Sequence, residues 1–131
     1  MNRKIKFYDS HLHLLGLGYN EWLIDLNAYK SIDSLITIKS SKELIIGRGW
    51  HQNNFIEKRY PTKHDLNKIS STKPIIFIRV CGHVLVCNEK AMKLANIDES
   101  SKQIEGGSFD FKTGVFTEDA LSIIYSLIPI P

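Results

Sequence analysis

A run at 75–80, apolar and mostly β-branched apart from Arg79, constrains the fold of this chain more than any other segment. The run follows Pro74 and is typical of a strand that is buried in a sheet. A break at Gly82 separates it from a second apolar run at 84–87, which predicts an antiparallel hairpin. Because hydrophobic residues make up 43% of the chain, there is enough apolar surface to bury this sheet, and wholesale disorder is excluded.

Three segments carry the start signal of a helix. Ser31, Thr62 and Asn88 are residue types whose side chains accept hydrogen bonds at helix N-termini. The helices that they predict cover residues 31–40, 62–69 and 89–95. A fourth helix is predicted from about Glu118 to residue 127, ahead of Pro129.

The other predicted elements are strands and loops. Gly47 and Gly49 fall within a strand pattern at 44–50, where they indicate a β-bulge or a close approach of the backbone. Further strands are predicted at 4–13 and 22–26, a long loop at 51–63, a turn at 106–107 and a hairpin over 109–116. Strands and helices alternate without a regular βαβ repeat, so we predict an α+β fold with a mixed sheet.

Charge and cysteine content exclude several classes of function. Seventeen Lys and Arg against 14 Asp and Glu leave a net charge of only +3, too low and too scattered for a nucleic-acid interface. No stretch approaches the roughly 20 apolar residues that cross a bilayer, so we expect no membrane contact. Cys81 and Cys87 fit no disulfide framework, and we expect free thiols and a cytoplasmic location.

The most informative motif for chemistry is a pair of alternating histidines near the N-terminus. Alternate residues of a strand share a face, so Asp9, His11 and His13 are expected to point the same way. Two imidazoles at that spacing can converge on one metal ion, and imidazole suits Zn, Ni, Cu and Fe. On local spacing alone the motif is weak, because two alternating histidines are also typical of polar residues on a half-exposed strand.

The surroundings of these histidines resemble a known family. The segment 9–18 is similar to the first barrel strand of the amidohydrolase superfamily, and most of all to its amidohydrolase-3 family of metal-dependent hydrolases. Further similarities follow in family order across nearly the whole chain. They lie at residues 47–52, 61–66, 79–84 with Asn88, and 113–118.

The resemblance implies a (β/α)8 barrel hydrolase of several hundred residues that acts on carbon–nitrogen bonds of small amide-type substrates. Its metal site lies at the C-terminal face of the barrel. His11 and His13 match the first two metal ligands, and zinc is the favoured divalent metal. In the family, a metal-activated water attacks the substrate carbonyl.

The sequence departs from the family pattern in its extent. A complete barrel takes about 250 residues, whereas this chain has 131 and lacks the family's later metal ligands. We therefore divide it into residues 1–20, the first barrel strand and loop, and residues 21–131, an α+β insertion domain ending in a C-terminal helix. Alone, such a fragment is expected to be inactive and to hold little metal, because catalytic zinc needs three protein ligands.

Several other residues are candidates for the site, each with a structural alternative. Asp9 either orients a metal ligand or is a solvated carboxylate at a strand end. By the resemblance, His83 faces the substrate cavity; alternatively, it is a histidine in a hairpin turn. Trp50, with Phe55, either lines a substrate entrance or belongs to the core. Glu118 either approaches the metal site of a full enzyme or lies in the first turn of the last helix.

The two cysteines and two arginines complete the candidates. Cys81 and His83 alternate, which leaves open a four-ligand site with the two N-terminal histidines. Cys87 is expected to be a small buried hydrophobic residue rather than a nucleophile. Arg48 and Arg79 are candidates to pair with acidic groups.

Two other functions remain open at this point. The chain is either a non-catalytic interaction or substrate-gating domain that retains the family signature, or one half of a site completed by docking with a separate barrel. The unpaired edge of the first strand would then be the docking edge, or it would pair two copies in a homodimer.

Overall fold

The computed structural model describes residues 23–128. These residues form one six-stranded mixed sheet with the strand order β1-β2-β3-β4-β6-β5. The strands are β1 (Leu23–Asp25), β2 (Ile45–Trp50), β3 (Ile75–Arg79), β4 (Val84–Cys87), β5 (Gly107–Asp110) and β6 (Val115–Glu118). The helices are α1 (Ile32–Leu35), α2 (Lys63–Ile69), α3 (Glu89–Leu94) and α4 (Leu121–Tyr125), and short 3₁₀ turns cover Leu26–Ala28 and Gln52–Asn54.

The sheet has a parallel half and an antiparallel half. β1, β2 and β3 run parallel, with α1 and α2 in the connections between them. β3, β4, β6 and β5 are antiparallel neighbours. The predicted hairpin of β3 and β4 is confirmed, as is the α+β class with a mixed sheet. The predicted strand at 4–13 lies outside the described residues.

Both faces of the sheet are covered, which explains the apolar composition of the central strands. The first four residues of β3, Ile75 to Ile78, are all buried and alternate between two apolar clusters. One cluster packs α3 and α4 on one face, with Ile76, Ile78, Met92, Leu121 and Ile124 among its members. The other packs α1 and α2 on the opposite face, with Ile75, Phe77, Leu35 and Leu66.

The glycines of β2 confirm both parts of their prediction. The pairing of β2 with β3 shifts register between Arg48 and Trp50, and Gly49 there has a φ of 108°, which a residue with a Cβ adopts only with strain. Gly47 is a site of close approach, because a Cβ there would lie 2.8 Å from the Leu26 side chain.

Two predicted helices are wrong in extent. The first covers only Ile32–Leu35 rather than residues 31–40, although Ser31 caps it as predicted by accepting from the Ser34 N–H at 3.0 Å. β-Branched residues follow Leu35, and they lose side-chain freedom in a helix. The last helix begins at Leu121, not at Glu118, because Glu118 ends β6 with a φ of 51°.

Within residues 23–128, no helix is long and apolar enough to cross a lipid bilayer.

Candidate functional site

The candidate site lies at the edge of the sheet where the parallel strands have their carboxyl ends. β2 and β3 both end there, with Trp50 paired to Arg79. Because β4 is antiparallel to β3, and β6 is antiparallel to β4, the start of β4 and the end of β6 meet the same edge. Ligands of open α/β sheets bind in the crevice outside the carboxyl ends of parallel strands.

Trp50 anchors this edge from inside the core. Its side chain is fully buried, and its indole N–H donates to the Phe77 carbonyl at 2.9 Å. The ring also contacts Tyr60 edge-on, with centroids 5.0 Å apart. Within residues 23–128, Trp50 therefore packs in the core, and Phe55 is buried in the same cluster. This placement agrees with the second of the two alternatives given for Trp50, a core residue.

A polar cluster continues directly from Trp50. The Val80 N–H donates to the Trp50 carbonyl at 2.9 Å, which fixes the chain after β3 beside the chain after β2. Arg79 Nε donates to Gln52 Oε1 at 3.1 Å, and Arg79 Nη2 lies 3.2 Å from His51 Nε2. His51 Nδ1 accepts the Asn53 N–H at 3.0 Å, which caps the 3₁₀ turn Gln52–Asn54. We call His51, Gln52 and Arg79 the donor cluster.

A second polar group lies in the turn between β3 and β4. His83 Nδ1 is 3.5 Å from Glu118 Oε2, and the Glu118 N–H donates to the His83 carbonyl at 3.0 Å. Both side chains are more than half exposed. The turn position of His83 agrees with the structural alternative for that residue, while its contact with Glu118 was not expected from the sequence. Glu118 is not in the first turn of the last helix, because it is the last residue of β6.

The two cysteines differ sharply in their surroundings. Cys81 is exposed, and the partial desolvation of its thiol acts to raise the pKa. The hydrogen bond from the His83 backbone N–H and the nearby Arg79 side chain outweigh this effect, so the pKa of the Cys81 thiol is lowered. The His83 N–H lies 3.4 Å from Cys81 Sγ. Burial raises the pKa of the Cys87 thiol well above its ordinary value. Cys87 is thus a small buried core residue, which confirms the prediction from the sequence.

The described residues do not form a metal centre by themselves. Within 23–128, no three His, Cys, Asp or Glu side chains come close enough together to hold a metal ion. Asp9, His11 and His13 lie outside the described residues, so the predicted ligand pair and the four-ligand site with Cys81 stay predictions.

Sequence reasoning missed part of this edge. It singled out Arg79 as a partner for acidic groups, but gave His51 and Gln52 no role beyond the family resemblance. These two residues could have been identified from their position directly after a strand with parallel neighbours, because the carboxyl ends of parallel strands lie at the same edge of a sheet. That identification depends on knowing that β2 and β3 are parallel.

Comparison with known proteins identifies the family. The model of the amidohydrolase family matches residues 7–127. The chain is 32% identical over 135 residues to "Putative amidohydrolase YtcJ" of Bacillus subtilis (strain 168), covering 94% of the chain and 26% of that protein. It is 26% identical over 128 residues to "Protein LONG AFTER FAR-RED 3" of Arabidopsis thaliana, covering 88% of the chain and 22% of that protein.

Solved structures agree with the sequence comparison. An uncharacterized metal-dependent hydrolase from Pyrococcus furiosus matches with a TM-score of 0.71 and 33% identity, over 88% of this chain and 23% of that one. A metal-dependent hydrolase from Pyrococcus horikoshii OT3 matches with the same score and identity, over 22% of its own length. The chain thus spans about a quarter of the length of these relatives, from 22% to 26%. With a family model that covers residues 7–127, the chain belongs to the amidohydrolase family.

Proposed function

We propose that this chain is part of a metal-dependent hydrolase that cleaves carbon–nitrogen bonds of small amide-type substrates, with His11 and His13 as two of its metal ligands. The observation that carries the proposal is the family match, which begins at residue 7 and so includes both histidines. The solved relatives that share the fold at 33% identity are themselves metal-dependent hydrolases.

The extent of the family match supports this proposal. All six strands of the described sheet fall within the matched residues 7–127, so the sheet belongs to the segment that is similar to the family. In the (β/α)8 barrels that the resemblance implies, the active site lies at the carboxyl ends of the barrel strands. Residues 1–20 would supply the first barrel strand and its ligands, and residues 21–131 the α+β portion beside it.

We propose zinc as the metal, because imidazole is among its preferred ligands. When bound, a divalent metal of this kind polarises a carbonyl and lowers the pKa of a coordinated water. The described residues 23–128 hold no group of three metal-ligating side chains of their own. Because catalytic zinc needs three protein ligands, we expect the chain alone to bind zinc weakly and to hydrolyse nothing, in a cytoplasmic setting where a complementary barrel would complete the site.

Zinc binding to the purified full chain tests the ligand pair. Equilibrium dialysis should show zinc binding that His11→Ala or His13→Ala weakens at least about tenfold, because each change removes one of two ligands. His64→Ala is the matched control, since His64 is exposed on α2 and should leave binding unchanged. Equal zinc binding by the wild type and His11→Ala, or no binding by either, would overturn the proposal in favour of a non-catalytic domain.

A hydrolysis assay tests the expected inactivity. The zinc-loaded chain, incubated with a panel of simple amides, should release amine no faster than zinc in buffer. Release that is fast in the wild type and absent in His11→Ala would show that the chain completes an active site by itself. That result would contradict the part of the proposal that requires a complementary barrel.

A further inference from the structure

The donor cluster of His51, Gln52 and Arg79 contains a contact that lacks an acceptor. Backbone N–H groups are always donors, so the bond from Asn53 N–H to His51 Nδ1 requires that Nδ1 carry no proton. A neutral imidazole then carries its proton on Nε2. That Nε2–H lies 3.2 Å from Arg79 Nη2, which is also a donor. Two donors therefore face each other across a distance at which one oxygen atom could accept from both.

The positive charge of Arg79 has no carboxylate partner in this part of the chain. Ion pairs of the residues in 23–128 join Arg59 to Asp65, Lys63 to Glu89 and His83 to Glu118, and none includes Arg79. The Arg79 side chain is part-buried, and its position is fixed by the bond from Nε to Gln52 Oε1. A part-buried guanidinium without a carboxylate favours the binding of an anion.

We propose that the donor cluster binds a carboxylate, whose oxygens accept hydrogen bonds from Arg79 and from the Nε2–H of His51. A planar guanidinium matches the two oxygens of a carboxylate, and such charge-assisted bonds are stronger than neutral ones. The cluster lies at the carboxyl ends of two parallel strands, where ligands of this kind of sheet bind. The binding of a carboxylate here does not depend on the proposed function. Its biological role does rest on that function: the bound carboxylate would be a group of the amide-type substrate.

The test is an acetate titration of the metal-free full chain at constant ionic strength, in which NMR detects the binding. Acetate should produce saturable shifts of the His51 ring nitrogens and of Arg79 Nε. Acetamide has nearly the same shape without the charge and should produce none. Arg79→Gln should weaken acetate binding about tenfold or more, since it removes a charge-assisted bond.

Two further variants keep the test independent of folding. His51→Asn retains a side-chain acceptor for the Asn53 N–H and removes the ring donor, so acetate binding should weaken while the fold is preserved. Arg48→Gln is the control for charge. Arg48 is paired with Ile78, whose side chain lies on the α3 and α4 face of the sheet, opposite to the face of Trp50. This variant should therefore bind acetate as the wild type does. The Trp50 indole N–H signal reports whether each variant remains folded.

Three results would overturn the inference. They are equal shifts with acetate and acetamide, equal acetate binding by Arg79→Gln and the wild type, and a His51 ring protonated at Nδ1 instead of Nε2. Because no metal is present, failure here leaves the zinc result of His11→Ala standing. Conversely, loss of the zinc result with intact acetate binding removes the hydrolase proposal and keeps the carboxylate site.

Discussion

At the scale of single residues, Asn88 joins three parts of the molecule. Its side chain is fully buried, and Oδ1 accepts from the N–H groups of Ile75 and Ala91, both at 3.0 Å. Its Nδ2 donates to the carbonyls of Ser70 and Lys73, at 3.0 and 2.8 Å. The helix-cap role was predicted from the sequence. The bonds to the start of β3 and to the chain after α2 were not, because they join residues far apart in the sequence.

Replacing Asn88 should destabilise the fold strongly. Asn88→Ala leaves buried N–H and carbonyl groups without partners, and we expect the free energy of unfolding to fall by roughly 2–4 kcal/mol. Asn67→Ala is the control, because Asn67 Oδ1 accepts a single exposed bond from the Glu89 N–H at 3.3 Å. Urea denaturation measures both, and a loss for Asn88→Ala no larger than for Asn67→Ala would contradict this account.

The two thiols should differ in reactivity. The thiolate is the nucleophile, so the lowered pKa of the exposed Cys81 favours its alkylation, whereas burial protects Cys87. Iodoacetamide at neutral pH should label Cys81 first in the native chain, and Arg79→Gln should slow that labelling because it removes a nearby positive charge. Mass spectrometry of the labelled peptides checks the order; simultaneous labelling of both cysteines in folded protein would refute it.

At the scale of elements, α2 begins with a charged cap. Asp65 Oδ2 accepts from the Thr62 N–H at 2.8 Å, and Arg59 approaches the same carboxylate at 2.8 Å. Burial acts to raise the pKa of Asp65, but the bonds from Arg59 and Thr62 outweigh it, and the pKa is lowered. The sequence predicted Thr62 as the cap residue of this helix. Arg59 was not predicted, since it precedes the helix.

This cap should make stability depend on pH. A carboxyl whose folded-state pKa is lowered stabilises the fold fully above its unfolded pKa of about 3.9, and that contribution is lost as the pH falls through the folded pKa. Asp65→Asn should therefore cost about 1–3 kcal/mol at pH 7 and progressively less below about pH 4. Glu99→Gln, at an exposed position, is the control for charge. Thermal unfolding across pH measures the difference, and a cost that stays constant down to pH 2 would be inconsistent with this cap.

Element boundaries show where local sequence signals were sufficient. The prediction for β4 matches Val84–Cys87, and the prediction for α3 is correct except that it ends one residue late. Both predictions are accurate because the apolar pattern and the cap residue indicate the same boundaries. The last helix was placed three residues early. The turn after β6 is held by contacts between distant residues, such as the bond from the Asp119 N–H to the Gly106 carbonyl at 3.3 Å.

At the scale of the whole molecule, the parallel order of β1, β2 and β3 could not be read from local patterns. Each strand was predicted, but parallel pairing joins residues separated by an intervening helix, as in Ile46 with Ile76. For the same reason, the donor cluster could not be assembled from the sequence. The antiparallel hairpins, whose partners are close in sequence, could be predicted.

The sheet order predicts a gradient of local stability. β3 is central and buried on both faces, whereas β5 is an edge strand with alternating exposure. Amide hydrogen exchange should therefore be slowest in β2, β3 and β4 and faster in β5, because a strand at the edge of the described sheet opens without unfolding the whole sheet. Equal protection of β5 and β3 amides would show that the sheet opens as a single unit and contradict this gradient.

We propose that the alternating histidines near the N-terminus, His11 and His13, hold the metal of an amidohydrolase. The most direct measurement is a zinc titration of the full chain, followed through the ring resonances of all five histidines. We predict that the His11 and His13 rings shift together at the lowest zinc concentrations, before that of His64. If His11 and His13 shift independently of each other, or only at the concentration that perturbs His64, the claim is wrong.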